Sequence, residues 1–203
     1  GNRVLSEKSN VVLEWNNGKG LIFKKTIKLD KKYLFKIKQE VKNNTSSKIN
    51  LYPYSQITRN KKPDDVMGFY ILHEGFIGVF DGELKEDDYD DIKDKKIVRN
   101  SDNGWLGITD KYWVTAIVPP KDKNFKSTFL YKNNYRANYI LNSPVTINPK
   151  SISGNEVRLF VAAKEVETVD GYAESENIEK FDLTIDWGWF YFFTKPLFFV
   201  IDY

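Results

Sequence analysis

Hydrophobic and polar positions alternate most clearly from Tyr33 to Lys42. Tyr33, Phe35, Ile37, Gln39 and Val41 fall on one side, and Leu34, Lys36, Lys38, Glu40 and Lys42 on the other. Successive strand side chains point to opposite faces, so this segment has one dry and one wet face, as antiparallel sheets do. Val11–Trp15 and Leu21–Leu29 flank a turn cluster, Asn16-Asn17-Gly18-Lys19-Gly20, able to supply positive-φ residues. Ile49–Thr58 is a strand that Pro53 places at an edge or a bulge. Short strands are predicted at Phe69–Leu72 and Gly75–Phe80, closing at Asp81-Gly82. More follow at Trp105–Ile108, Tyr112–Val118, Phe125–Tyr131, Arg136–Leu141, Val145–Ile147 and Glu156–Ala163. About a dozen short strands with frequent turn signals predict an all-β sandwich.

Two segments depart from this period. Glu83–Lys96 is acidic at Glu86, Asp87, Asp88, Asp90 and Asp91, then basic at Lys93, Lys95 and Lys96. It reads as a short surface helix or an irregular excursion, with Leu84, Tyr89 and Ile92 able to dock one side and the charge order suiting a helix dipole. Glu165–Lys180 reads as a helix with a break near Gly171, laying Val166, Val169, Tyr172, Ala173 and Ile178 against the sandwich.

Composition narrows the class. A 41% hydrophobic and 15% aromatic share supports a core, and a 29% charged share marks a folded globular chain. The 31 basic and 28 acidic residues give a net charge of +3, too balanced for a nucleic-acid partner. There is no cysteine, which excludes disulfides, thiolate nucleophiles and Cys-based metal sites and suits an oxidising compartment. The single histidine, His73, excludes a multi-histidine metal centre. Residues 1–10 lack the pattern of a signal peptide, so any export signal is expected upstream.

Three stretches carry more than composition. They are Gly104-Trp105-Leu106-Gly107 running through Tyr112-Trp113 to Pro119; Leu159-Phe160-Val161-Ala162-Ala163-Lys164-Glu165; and Phe181-Asp182-Leu183-Thr184-Ile185-Asp186-Trp187-Gly188-Trp189-Phe190, continuing to Lys195-Pro196-Leu197-Phe198. In order and separation these resemble the YidC family of bacterial membrane protein insertases, over roughly Val11–Tyr203. The resemblance implies a periplasmic domain with a large antiparallel β-supersandwich, galactose-mutarotase-like, then a helical linker and a helix at the membrane surface leading to a transmembrane region. On this reading 1–164 is the sandwich, without the family's first strands, 165–182 the linker, and 183–203 the interface helix. It implies the bacterial inner membrane, with the domain facing the periplasm. Sec translocon accessory subunits, nascent membrane proteins and the membrane surface are the expected partners. Neither cofactor nor metal nor catalysis is expected.

The last segment can be tested physically. Asp186, Lys195 and Pro196 argue against a transmembrane span over Leu183–Ile201, since a charge at bilayer depth costs about 2.5–3.5 kcal/mol on insertion scales. Trp187, Trp189, Phe190, Tyr191, Phe192, Phe193, Phe198 and Phe199 suit the headgroup level, and Lys195 is able to carry its ammonium to water or phosphate while its stem stays apolar. Pro196 predicts two helices, one near Trp187–Thr194 and one starting near Pro196. The alternative is a core helix capping the sandwich.

His73 beside Glu74 has the residue types of a base and its orienter, but strand neighbours point apart, and one histidine cannot fill both proton-transfer roles of an aldose epimerase. The aspartates 87, 88, 90 and 91 lack the ordered spacing of a calcium loop. Trp105, Tyr112 and Trp113 are either core or a candidate groove for a peptide, sugar or partner. The rival function is a carbohydrate-binding or aldose-epimerase-like sandwich.

Overall fold

The computed structural model describes residues 4–64, 72–188 and 191–201, without the side chains of Tyr191, Phe192 and Phe199. Its strands are β1 (Val11–Asn16), β2 (Leu21–Leu29), β3 (Leu34–Asn43), β4 (Ile49–Leu51), β5 (Tyr54–Arg59), β6 (Gly75–Phe80), β7 (Glu83–Asp88), β8 (Ile97–Ser101), β9 (Gly104–Thr109), β10 (Trp113–Val118), β11 (Phe125–Tyr131), β12 (Tyr135–Leu141), β13 (Val145–Ile147) and β14 (Ile152–Ala163). The helices are α1 (Tyr89–Asp94), α2 (Val166–Ser175) and α3 (Tyr191–Ile201), with a 3-10 turn at Phe181–Thr184.

Antiparallel pairing builds an eight-stranded sheet, β1-β2-β3-β14-β10-β9-β6-β7, and a four-stranded sheet, β5-β12-β11-β8, with β13 and β4 as a separate pair. One core lies between the sheets. Phe76, Phe80, Leu106, Ile108, Ile117 and Val157 meet Phe125, Phe129, Ala137, Tyr139 and Leu141, and α1 closes one side with Tyr89 and Ile92. A second core lies on the outer face of the large sheet. There Leu34, Ile77, Val79, Trp105, Val114, Ala116 and Phe160 are covered by Val169 and Tyr172 of α2, by Ile178 and by Phe181.

The strands between these two cores are apolar on both faces. Every residue of β6 and β9 is buried, which is why Gly75–Phe80 and Gly104–Thr109 read as continuous apolar runs. Gly104, at φ +137, is required there: a side chain would run into the Val79 carbonyl. At the β1–β2–β3 wing no residue of β1 or β2 is fully buried, and the start of β3 departs from the expected faces: Leu34 is buried and Tyr33 exposed.

Several expectations change. Glu83–Asp88 is neither helix nor excursion but a strand paired along β6; only Tyr89–Asp94 is helical. Its charge is tolerated because Asp87 takes two bonds from Arg99, at 2.7 and 2.8 Å. Ile97–Ser101 is an additional strand. Pro53 splits Ile49–Thr58 into β4 and β5. Helix α2 runs through Gly171 unbroken: the cost of a helical glycine, about 1 kcal/mol, is outweighed by burial of Val169 and Tyr172 on either side. The strand expected over 69–72 lies, at 69–71, outside the described residues. Pro196 sits inside one helix instead of starting a second.

Candidate functional site

The site is built at the seam between the β body and α3. Trp105, central in β9, packs edge-on against Phe181 at 5.5 Å, and its indole N–H donates to the Glu179 carbonyl at 3.1 Å. Phe160 packs edge-to-face with Phe181 at 5.4 Å and with Tyr172 at 5.6 Å. The Tyr172 hydroxyl donates to the Asp30 carboxylate at 2.7 Å. Burial, and then this bond, which favours the neutral phenol, push the Tyr172 pKa well up. These contacts clamp α2 and the 3-10 turn to the sheet.

From there the chain passes Asp186, whose carboxylate accepts the His73 backbone N–H at 3.0 Å and the Gly188 N–H at 2.8 Å. Helix α3 is seated by Lys195. Its ammonium donates to Asp182 of the 3-10 turn at 2.9 Å and to Asp170 of α2 at 3.1 Å. It also lies 5.8 Å from the Trp187 ring centroid. Trp187 packs edge-on against Phe198 at 5.7 Å, and the Thr194 hydroxyl donates to the Trp187 carbonyl at 2.9 Å. Burial alone would lower the Lys195 pKa; the Asp182 and Asp170 carboxylates outweigh it and hold the ammonium above its ordinary value.

Thr194 and Lys195 of α3 therefore face the protein, and four of its apolar residues face out. Phe193, Leu197, Val200 and Ile201 are 74, 56, 74 and 75% exposed. Their spacing, i, i+4, i+7 and i+8, places them on one side of a helix. No helix of the described residues is long and apolar enough to cross a membrane.

The expected interface residues divide accordingly. Phe193 is on the open face. Trp187 is half-buried, and Phe198 is at the margin, 36% exposed. Lys195 corrects the expectation: with 18% of its side chain exposed, its ammonium is held by protein carboxylates, not aimed at phosphate. Trp189 and Phe190, and the side chains of Tyr191, Phe192 and Phe199, lie outside the described residues.

The expected aromatic groove does not form as a unit. Trp105 is fully buried beneath α2 and the 3-10 turn, whereas Tyr112 and Trp113 are 64 and 61% exposed at the β9–β10 hairpin. An open groove lies elsewhere, with a volume of about 540 Å³. Trp15, Phe23, Lys25 and Val41 of the β1–β3 wing form its floor, and Leu51, Tyr52, Pro53, Tyr54 and Val145 its wall. Trp15 and Phe23 stack at 5.3 Å, brought side by side by the β1–β2 register. The turn at 16–20 signalled that pairing; the wall, from two separate stretches at Leu51–Tyr54 and Val145, carried no local signal.

His73 and Glu74 diverge. The His73 ring Nε2 lies 2.9 Å from the Phe76 carbonyl, which can only accept, so Nε2 carries a proton. Glu74 accepts the Lys111 backbone N–H at 3.1 Å. The acidic residues scatter too: Asp87 bonds Arg99, Asp90 bonds Lys62, and Asp88 precedes α1.

The YidC periplasmic domain model matches residues 1–200. The chain belongs to the YidC periplasmic domain family. It is 50% identical over 203 residues to the membrane protein insertase YidC of Pelagibacter ubique, covering all of this chain and 36% of that protein. It is 41% identical over 210 residues to that of Brucella suis, covering all of this chain and 34% of that protein. The chain thus spans about a third of the length of the curated YidC relatives it matches. In fold it resembles a galactose mutarotase related enzyme from Lactobacillus acidophilus, with a TM-score of 0.51 and 10% identity, covering 75% of this chain and 67% of that one. The YidC domain is therefore a galactose-mutarotase-like β-supersandwich.

Proposed function

We propose that this domain is the periplasmic body of a bacterial inner-membrane insertase that aids insertion and folding of membrane proteins, and that it lies on the bilayer through α3. The observation that carries the reading is the inverted polarity of α3. Thr194 and Lys195 are spent on the protein, while Phe193, Leu197, Val200 and Ile201 face outward together. An apolar helix face of this kind is stabilised by insertion at the headgroup–acyl boundary.

The domain acts by binding, not by catalysis. The groove floored by Trp15, Phe23 and Val41 suits an extended apolar segment of a nascent membrane protein. The remaining surface serves docking of Sec translocon accessory subunits. Co-sedimentation with vesicles of phosphatidylethanolamine and phosphatidylglycerol tests the reading. The chain binds, and Phe193→Ser with Leu197→Ser lowers affinity about a hundredfold, as lost burial of two large apolar groups implies. Equal binding by both forms contradicts it.

The rival, carbohydrate binding, is favoured by that same groove, whose rings and the Gln39 and Asn155 amides suit a sugar ring. Calorimetry separates the two: saturable sugar heats, abolished by Trp15→Ala, support the rival.

A further inference from the structure

The end of the large sheet from which the chain leads into α3 also carries the β9–β10 hairpin, and we propose that this hairpin tip is a second contact with the membrane surface. The inference rests on the reading of α3 as a membrane-bound helix. The turn closes by the Asp110 N–H donating to the Trp113 carbonyl at 2.8 Å, leaving Lys111 and Tyr112 exposed beyond the sheet and Trp113 exposed at the first position of β10. The rest of β10 is not like this: Val114, Ala116, Ile117 and Val118 are buried. The Lys111 ammonium lies 5.1 Å from the Tyr112 ring centroid, so cation and ring share one surface.

One of the acids beside the tip, Asp110, is already paired. Both carboxylate oxygens of Asp110 accept from Arg59 at 2.7 Å, and Glu74 accepts from the Lys111 backbone. The tip therefore offers one cation and two rings with polar handles, the combination that settles at headgroup level against an anionic leaflet.

Its tie to α3 points to lipid as the occupant. The Tyr112 carbonyl accepts the Lys164 N–H at 2.9 Å. Burial lowers the Lys164 pKa, and the nearby Asp186 charge opposes that fall. Asp186 in turn binds the backbone of His73, next to the Glu74 that holds Lys111. One short bridge, Asp186 to the His73 backbone and Glu74 to the Lys111 backbone, thus joins the hairpin to the segment leading into α3. A helix lying on a plane leaves the body free to roll about the helix axis; a second contact on the same rigid frame removes that freedom and fixes one orientation.

The chain has no cysteine, so Tyr112→Cys and Phe193→Cys each accept one environment-sensitive dye. Near-ultraviolet circular dichroism verifies that each folds. With vesicles of phosphatidylethanolamine and phosphatidylglycerol, both dyes shift to the blue. Tyr112→Ala with Trp113→Ala lowers vesicle affinity about tenfold, as partial burial of two rings implies, and Lys111→Glu weakens binding to anionic vesicles but not to zwitterionic ones. A shift at 193 with none at 112 overturns the hairpin contact and leaves α3 standing. No shift at either overturns both. A shift at 112 produced by a soluble apolar peptide and not by vesicles overturns the proposal in favour of a peptide partner.

Discussion

Helices α2 and α3 lie against one another through Lys195, yet they solve opposite problems. Helix α2 turns Val169 and Tyr172 into the sheet and leaves Glu167, Gly171 and Glu174 to water. Helix α3 turns Thr194 and Lys195 toward the protein and leaves Phe193, Leu197, Val200 and Ile201 outside. The first is held by apolar burial and its loss costs folding energy. The second is held by a charge shared between Asp170 and Asp182, so its apolar face remains available to something else. Similar residue types therefore stabilise the fold in one helix and stay exposed in the other.

The comparison breaks most visibly at Phe181, which sits beneath α2 with no exposed surface. Phe181→Ala lowers unfolding free energy by about 3–5 kcal/mol in urea titration. Lys195→Met leaves Asp170 and Asp182 facing each other without their shared cation. It raises amide exchange across α3 about tenfold, about 1.4 kcal/mol in local opening, discounted for partial exposure.

The pH dependence has a definite sign. The folded-state pKa of Lys195 is raised, so its contribution is complete below the ordinary lysine value of about 10.4. It is lost as pH climbs through the raised value, so α3 exchange accelerates first on the alkaline side.

Gly171, with open space where a side chain would go and no positive φ, is the inverse case. Gly171→Ala stabilises by about 1 kcal/mol in thermal or urea unfolding, because helical glycine is intrinsically unfavourable. Least affected is Leu197: Leu197→Ser shifts folding stability by no more than about 0.5 kcal/mol. A loss of several kcal/mol there would place α3 in the core.

The same contrast explains what could be read along the chain. Residues 21–29, 125–131 and 145–147 were legible as strands with the observed bounds, because turn formers bracket them. Strand β8 was not: Val98 is exposed, and Arg99 finds its purpose in Asp87, on a different sheet. The burial of Trp105 depended on Glu179 and Phe181, far along the chain. The apolar and aromatic character of the tail was legible. Its polarity was not, because it is apolar nearly all round and the partners of Lys195 stand 13 and 25 residues away.

The central claim is the direction α3 faces, and spin labels at single cysteines along the helix measure it directly. On vesicle-bound protein, labels at Phe193, Leu197 and Val200 become accessible to lipid-dissolved oxygen and shielded from a water-soluble relaxant, while labels at Thr194 and Phe198 do not. The reverse pattern, or one with no helical period, contradicts the account.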